Sequence, residues 1–406
     1  VESITVKADR HSWILDEQSV RPGGCSLVYR ALRPDDPQQT PAALKTASPG
    51  NEASLLRERE LLKALSARGG ELPVVPFLDQ GTWGARPFLV MPWFDENLET
   101  WVEDRRLPER LDVLAKAADA VDALHRTRHG DRTLVHSDLK PSNFLIEARG
   151  GGLRVLLADL GACRHLDPWA SAGTRTAQHT LGFAPPEQAL PFRLPARREW
   201  DLFALAATIY AVLAGEPPES TRAWRERMTD EGRRLERLIS EQQSVEKERR
   251  RRDWDESLAR RAEALSREIL ALQRNPSELL DIERPIYDAA DRERLRTRLT
   301  QDLTGLATHP TRAAEEILAL LDRHLGNALD PNPILRTTAP LAFSDACRAA
   351  LRVLGGDAGL PRGAPGPRQP DVGVTVGSHA QATPRSPAPQ TPPVAPTRPQ
   401  PAPLRG

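Results

Sequence analysis

Cysteine is scarce in this chain. Cys25, Cys163 and Cys347 are the only three among 406 residues, and they stand far apart. An odd number at such spacings builds neither a disulfide framework nor a metal cluster, and it suits a reducing compartment. Aromatic residues are also few, at 5% against 39% hydrophobic residues in all, so aliphatic side chains must pack the core. No apolar run approaches the roughly 20 residues that span a bilayer, and the first residues lack the apolar stretch of a secretion signal. A cytoplasmic protein outside the membrane is the expectation. A net charge is missing too: 56 basic residues balance 56 acidic ones. No overall field therefore draws in nucleic acid, and a charged partner must be met locally.

What is present falls into two textures. From about Trp13 to Phe94 the chain reads as strands, with β-rich runs at Ser26–Leu32, Ala42–Thr46 and Pro87–Met91 between Pro/Gly clusters. One helical pattern interrupts them, Glu52 to Leu65, with Leu55, Leu61, Leu62 and Leu65 on one face. After Leu98 helices dominate, above all Arg110–Arg126 and Trp200–Ala214, with short strands at Thr133–His136, Phe144–Glu147 and Leu153–Ala158 between them. A strand-rich part followed by a larger helical part predicts an α+β fold with a cleft at the join. Two stretches differ. Residues 224–304 are dense in Arg and Glu, with four arginines in a row at 249–252, and Leu258, Ala262, Leu265, Ile269 and Leu272 recur at helical spacing. The arginine run is flanked by acids and reads as a solvated helical face. From about residue 356 Pro, Gly, Ala, Ser and Thr take over, and 13 of the 37 prolines fall within 361–406. Such a tail cannot bury enough surface to fold and is expected to be disordered.

The chemistry concentrates in His136-Ser137-Asp138-Leu139-Lys140-Pro141-Ser142-Asn143, followed sixteen residues after Asn143 by Asp159-Leu160-Gly161. Phosphoryl transfer asks a protein for positioning, for metal ions that bridge phosphates, and for a carboxylate that orients the attacking hydroxyl. One loop with an Asp, a cation two residues on and an Asn five residues on can supply these. Asp138 would take the hydroxyl proton, Lys140 would steady the γ-phosphate, and Asn143 and Asp159 would ligate Mg²⁺, which prefers few carboxylates plus phosphate oxygens.

Here the sequence resembles the protein kinase superfamily, over roughly Trp13 to Leu354 less the charged stretch. His136–Asp138 resembles the family's His-Arg-Asp with Ser137 in place of Arg, and Asp159–Gly161 resembles its Asp-Phe-Gly with Leu160 in place of Phe. Ala184-Pro185-Pro186-Glu187-Gln188 is similar to its Ala-Pro-Glu, Asp201 opens a helix like the family's buried one, and Arg336 resembles the late Arg that pairs with Glu187. The resemblance implies a bilobal kinase fold at 10–355, with a small lobe at about 10–94 and a larger one at about 95–355. It implies ATP and Mg²⁺ as cofactors and a protein as substrate. Lys45, in Ala42-Ala43-Leu44-Lys45, would bind the α/β-phosphates and pair with a helix glutamate. Glu58 has the best context, with Glu60 and Glu52 as rivals. Met91-Pro92-Trp93-Phe94 resembles the hinge behind adenine; Pro92 has no N–H, so the donor falls to Phe94.

The Gly-rich loop is the poorest match. In Arg21-Pro22-Gly23-Gly24-Cys25-Ser26-Leu27-Val28 only Gly23 keeps a family glycine, Arg21 and Ser26 replace the other two, and Val28 remains to roof the adenine. Losing glycines there would weaken backbone contacts to phosphate. Lys140 and Thr180 favour a Ser/Thr acceptor over Tyr, and Glu187 with Arg336 favours a protein over a small molecule. Ser137 cannot grip an activation-loop phosphate as the family's Arg does, so activity should not depend strongly on phosphorylation at Ser171, Thr174 or Thr176. The 224–304 stretch stands where the family has a partner-binding helix, so it is expected to be a docking or dimerisation arm. A scaffold that binds nucleotide or partners without turnover is the other reading, drawn from the degraded loop.

Overall fold

A computed structural model describes residues 4–22, 26–69, 71–130, 132–165, 182–189, 197–218, 227–249, 255–273 and 276–357. The small lobe carries strands β1 (Ile4–Lys7), β2 (Ser12–Pro22), β3 (Ser26–Leu32) and β4 (Ala42–Ala47), helix α1 (Glu52–Ser66), and strands β5 (Asp79–Trp83) and β6 (Arg86–Pro92). The six strands form one antiparallel sheet in the order β1-β2-β3-β4-β6-β5. Its two edges then meet: Ala8 bridges Gly81, and the Asp9 amide donates to the Gln80 carbonyl at 2.8 Å. Only glycine fits at 81, because a Cβ there would stand 2.5 Å from the Phe88 ring. Val6, Trp13, Leu15, Ala31, Ala42, Leu44, Phe88 and Val90 fill the curl from inside. Asp79 fastens the closure. Buried, it accepts from the Arg10 and His11 amides and the Trp13 indole, at 3.1, 3.0 and 3.2 Å.

The large lobe begins with β7 (Glu96–Asn97), α2 (Leu98–Trp101) and α3 (Leu107–Arg126), then β8 (Arg128–His129), β9 (Arg132–Val135), β10 (Phe144–Arg149), β11 (Gly152–Leu157) and β12 (Arg164–His165). α4 (Arg198–Ala214) follows, buried on nearly every side from Trp200 to Leu213, as its lack of a polar face requires. Gly215 ends it in the left-handed conformation, φ 94°. α5 (Asp230–Arg249), α6 (Glu256–Gln273), α7 (Pro276–Leu279), α8 (Ala289–Leu303), α9 (Pro310–Ala328) and α10 (Pro340–Asp357) complete the chain described.

The charged stretch divides. α5 and α6 pack on each other over Leu235, Ile239 and Ile269, which with Met228, Leu279 and Leu280 make a small separate core. Arg234–Glu268 and Arg261–Glu241 join the two helices at the surface. α8 is different: its Leu295, Leu299 and Leu303 lie in the main core with α3, α4 and α9. The leucines recur every fourth residue and turn one face inward, while the arginines that gave the stretch its composition stand on the other. Among the described residues, Met228, α5, α6 and the Leu279–Leu280 pair thus share a core of their own, and α8 belongs to the main one. The arginines after Arg249 and residues 358–406 of the proline-rich tail lie outside the described residues.

Candidate active site

The site is built where β3, β4 and β6 face the loops after β9 and β11. Lys45 points inward from β4. On α1 the leucines at 55, 61, 62 and 65 face the core and Glu58 shares their side, buried, while Glu60 is exposed and paired with Arg59. Of the three glutamates it is Glu58 that meets Lys45. Lys45 Nζ stands 2.7 Å from Glu58 Oε2 and 3.0 Å from Asp159 Oδ1. Burial works against the Lys45 charge, but the two carboxylates outweigh it and hold the lysine above its ordinary range. Burial raises the Glu58 carboxyl, with Lys45 opposing. The Lys45 charge holds Asp159 below the usual carboxylate range, against its partial burial, and His136 and Lys140 add to the effect. Lys45 and Asp159 are thus both charged at neutral pH, and the Asp159 carboxylate, 44% exposed, remains open to a cation.

The loop that follows β9 hangs from Asp201 in α4. This fully buried carboxylate accepts from His125 Nε2 at 2.8 Å, from the His136 amide at 2.7 Å and from the Ser137 amide at 2.8 Å. His136 Nε2 donates to the Ala158 carbonyl at 2.9 Å, so its Nδ1 is left to accept the Asp138 amide at 3.3 Å. Asp138 Oδ2 lies 3.3 Å from Lys140 Nζ, and Asn143 Nδ2 donates to the Asp138 carbonyl at 2.7 Å. That bond leaves the Asn143 amide oxygen as the atom able to ligate a cation. Asp159 is left-handed, φ 59°. Next to it Gly161 abuts α1 so closely that a Cβ would come within 2.6 Å of Ser54 Oγ.

Some of these residues border a cavity of about 500 Å³. Val28, Ala43, Met91, Phe94 and Leu145 line it with apolar surface, and Lys45, Lys140, Asn143 and Asp159 with polar groups. An apolar slot continued by cations, an amide and a carboxylate fits a flat base joined to phosphates. Among the described residues no group of three or more His, Cys, Asp or Glu side chains could hold a metal ion by itself. Asn143 and Asp159 would hold Mg²⁺ only with phosphate oxygens completing its shell, which is how this ion prefers to bind. Asp138 is not among the residues lining the cavity.

Gly23 and Thr180 lie outside the described residues, as do Ser171, Thr174, Thr176 and Cys25. Arg21, read from the sequence as a lost glycine, has a place of its own at the cavity mouth. Its guanidinium stacks 4.2 Å from the centre of the Trp93 ring and donates to the Phe94 and Asp95 carbonyls at 3.2 and 3.3 Å. It ties strand β2 to the segment that follows β6. Gln188 was also missed, and its amide donates to the Ser137 carbonyl at 2.5 Å. Glu187 and Arg336 do meet, in a buried two-pronged pair at 2.6 and 3.0 Å.

The chain is 29% identical over 207 residues to the serine/threonine-protein kinase PknJ of Mycobacterium tuberculosis, covering 50% of this chain and 34% of that one. It is 31% identical over 211 residues to PknL of the same organism, covering 50% of each. The match spans half or less of these relatives' own length. The crystal structure of the Mycobacterium tuberculosis PknI kinase domain aligns with 85% of this chain and 98% of its own, at 18% identity and a TM-score of 0.43. The protein kinase domain family matches residues 17–284, more than half of the chain, and it is to this family that the chain belongs.

Proposed function

We propose that the protein is an ATP-dependent serine/threonine protein kinase acting in the cytoplasm. The observation that carries this reading is the charged Lys45 held between Glu58 and Asp159 at one cavity with Lys140 and Asn143, with Asp138 alongside on the same loop. Lys45 binds the α/β-phosphates, and Val28, Met91 and Phe94 enclose the base. Gly23, beyond the described residues, is assigned to the phosphate loop from its motif alone. Asn143 and Asp159 would hold Mg²⁺, which would neutralise charge at the phosphates. Asp138 accepts the proton of the attacking hydroxyl, and Lys140 steadies the transferred group. The names of the relatives and the Lys140 motif support Ser/Thr as acceptor; the Glu187–Arg336 pair supports a protein substrate.

The second reading is a nucleotide-binding scaffold, favoured by Arg21 and Ser26 in place of loop glycines. Incubation with radiolabelled Mg-ATP separates the two: the wild type should label itself or a protein substrate, and equal labelling of Asp138→Ala would rule out the kinase reading.

Two further expectations attach to it. Ser137 offers no cation to an activation-loop phosphate, so phosphatase treatment should leave most of the turnover, within about twofold; near-total loss would refute this. The α5–α6 hairpin is proposed as the docking or dimerisation arm. The chain returns to its starting point at Leu279, where Thr229 N donates to Leu279 O at 3.1 Å, so residues 230–278 can be replaced by a short linker. Autophosphorylation should survive that excision, while self-association by light scattering, or substrate choice, should change. If neither changes, the arm has no such role.

A further inference from the structure

The peptide unit between Ser137 and Asp138 is held at both of its polar groups. The Asp138 N–H donates to His136 Nδ1 at 3.3 Å, and the Ser137 carbonyl accepts from Gln188 Nε2 at 2.5 Å. One residue earlier, the Ser137 N–H is fixed on Asp201 at 2.8 Å. Ser137 is left-handed, φ 69°. A serine does not hold that conformation by itself, so outside contacts must impose it. Its own side chain gives no help: Ser137 Oγ is buried with no hydrogen-bond partner among the described residues. His136 and Asp201 hold the amide side of this strained turn, and Gln188 holds the carbonyl side.

Gln188 is well placed for such a hold. It is 5% exposed, and its amide N–H closes a turn on the Pro185 carbonyl at 3.0 Å. Its neighbour Glu187 is locked on Arg336 by two bonds. The turn is therefore anchored to the large lobe independently of the bond it offers to Ser137. Gln188 is not among the residues lining the cavity.

We infer that Gln188 is a positioning residue for the phosphoryl-transfer loop: by holding the Ser137 carbonyl it orients the peptide that carries Asp138, and so aims the carboxylate at the acceptor hydroxyl. The inference rests on the kinase reading for its effect on turnover, but the tie itself can be measured without turnover. Misplacing a reacting group by about 1 Å can cost about 100-fold in rate.

Gln188→Leu keeps the side-chain bulk and removes the donor. Its kcat should fall about 10- to 100-fold, with the KM for ATP and nucleotide affinity unchanged. Gln188→Glu adds a readout that mere packing would not move. Its ionised carboxylate cannot donate to the Ser137 carbonyl, whereas its protonated form can. The ratio of its kcat to that of the wild type should therefore rise as pH falls from about 8 to 5.5. Hydrogen exchange in the catalytic-loop peptide around 134–140 should also quicken in Gln188→Leu, whether or not the protein turns over. A leucine variant with kcat within twofold of the wild type, a flat glutamate-to-wild-type ratio, or unchanged exchange would overturn the inference. Quickened exchange in a protein whose wild type shows no transfer would support the tie and overturn the kinase reading instead.

Discussion

Replacing Asp138 by asparagine should lower phosphoryl transfer by about 10²- to 10⁴-fold, the range that a positioned general base contributes, while ATP affinity stays within about twofold. The reason lies in where the groups stand. Asp138 is absent from the cavity lining, whereas Lys45, Lys140, Asn143 and Asp159 are part of it. The backbone around Asp138 is fixed by His136, Asn143 and Asp201 without use of its carboxylate. Its carboxylate contacts Lys140 Nζ at 3.3 Å. Asparagine keeps the shape but loses the proton acceptor and the charge facing Lys140, neither of which lines the cavity, so kcat should carry most of the effect. Lys45→Met makes the contrast. It leaves Glu58 and Asp159 facing one another without the charge that both lean on, so nucleotide affinity should fall together with the rate. Steady-state kinetics beside nucleotide titration tells the two patterns apart. An Asp138→Asn protein with wild-type kcat would remove Asp138 from the mechanism; one that failed to bind nucleotide would make it a structural residue.

The parts of this site legible from the sequence were those set by local spacing. A loop with Asp138, Lys140 and Asn143 at fixed offsets needs no knowledge of distant partners. Glu58 could be chosen over Glu60 because a helix turns about 100° per residue and the leucines mark the inward side. What stayed hidden depends on segments far apart in sequence. Residues Ile4–Lys7 are too short a run to announce a strand that closes a sheet, and the Ala8–Gly81 bridge joins positions with no shared pattern. Asp79 gives no sign that three groups from residues 10 to 13 converge on it. Arg21 looked like damage to a glycine loop because the motif defines that position by what it lacks. The guanidinium instead makes a tie to the hinge that no motif encodes. In the charged stretch, composition averaged over both faces of α8 concealed three buried leucines.

The Glu187–Arg336 pair joins residues 149 apart and closes the large lobe at its base. Arg336 is wholly buried in its side chain, and Glu187 is 4% exposed. Removing one partner of such a pair strands the other charge without water, which costs about 3–5 kcal/mol. Glu187→Ala should therefore unfold at a clearly lower denaturant concentration than the wild type. Part of the guanidinium would still be satisfied: Arg336 Nε donates to the Asp330 carbonyl at 2.7 Å, Nη2 to the Pro331 carbonyl at 3.2 Å, and the group lies 5.0 Å from the centre of the Phe203 ring. These contacts place the loss toward the lower end of that range. They also decide the outcome of replacing both partners, for example Glu187→Met with Arg336→Leu. An isolated buried ion pair can often be exchanged for apolar groups at little cost, but here the Asp330 and Pro331 carbonyls would lose their donor, so the double variant should recover only part of the loss. The turn that Glu187 anchors also carries Gln188, so Glu187→Ala should slow turnover by more than its unfolded fraction explains. Denaturant titration of both variants, with kcat corrected for the folded fraction, measures each of these effects. A Glu187→Ala protein within about 0.5 kcal/mol of the wild type, the scatter of ordinary surface substitutions, would show that the pair holds neither the lobe nor the turn.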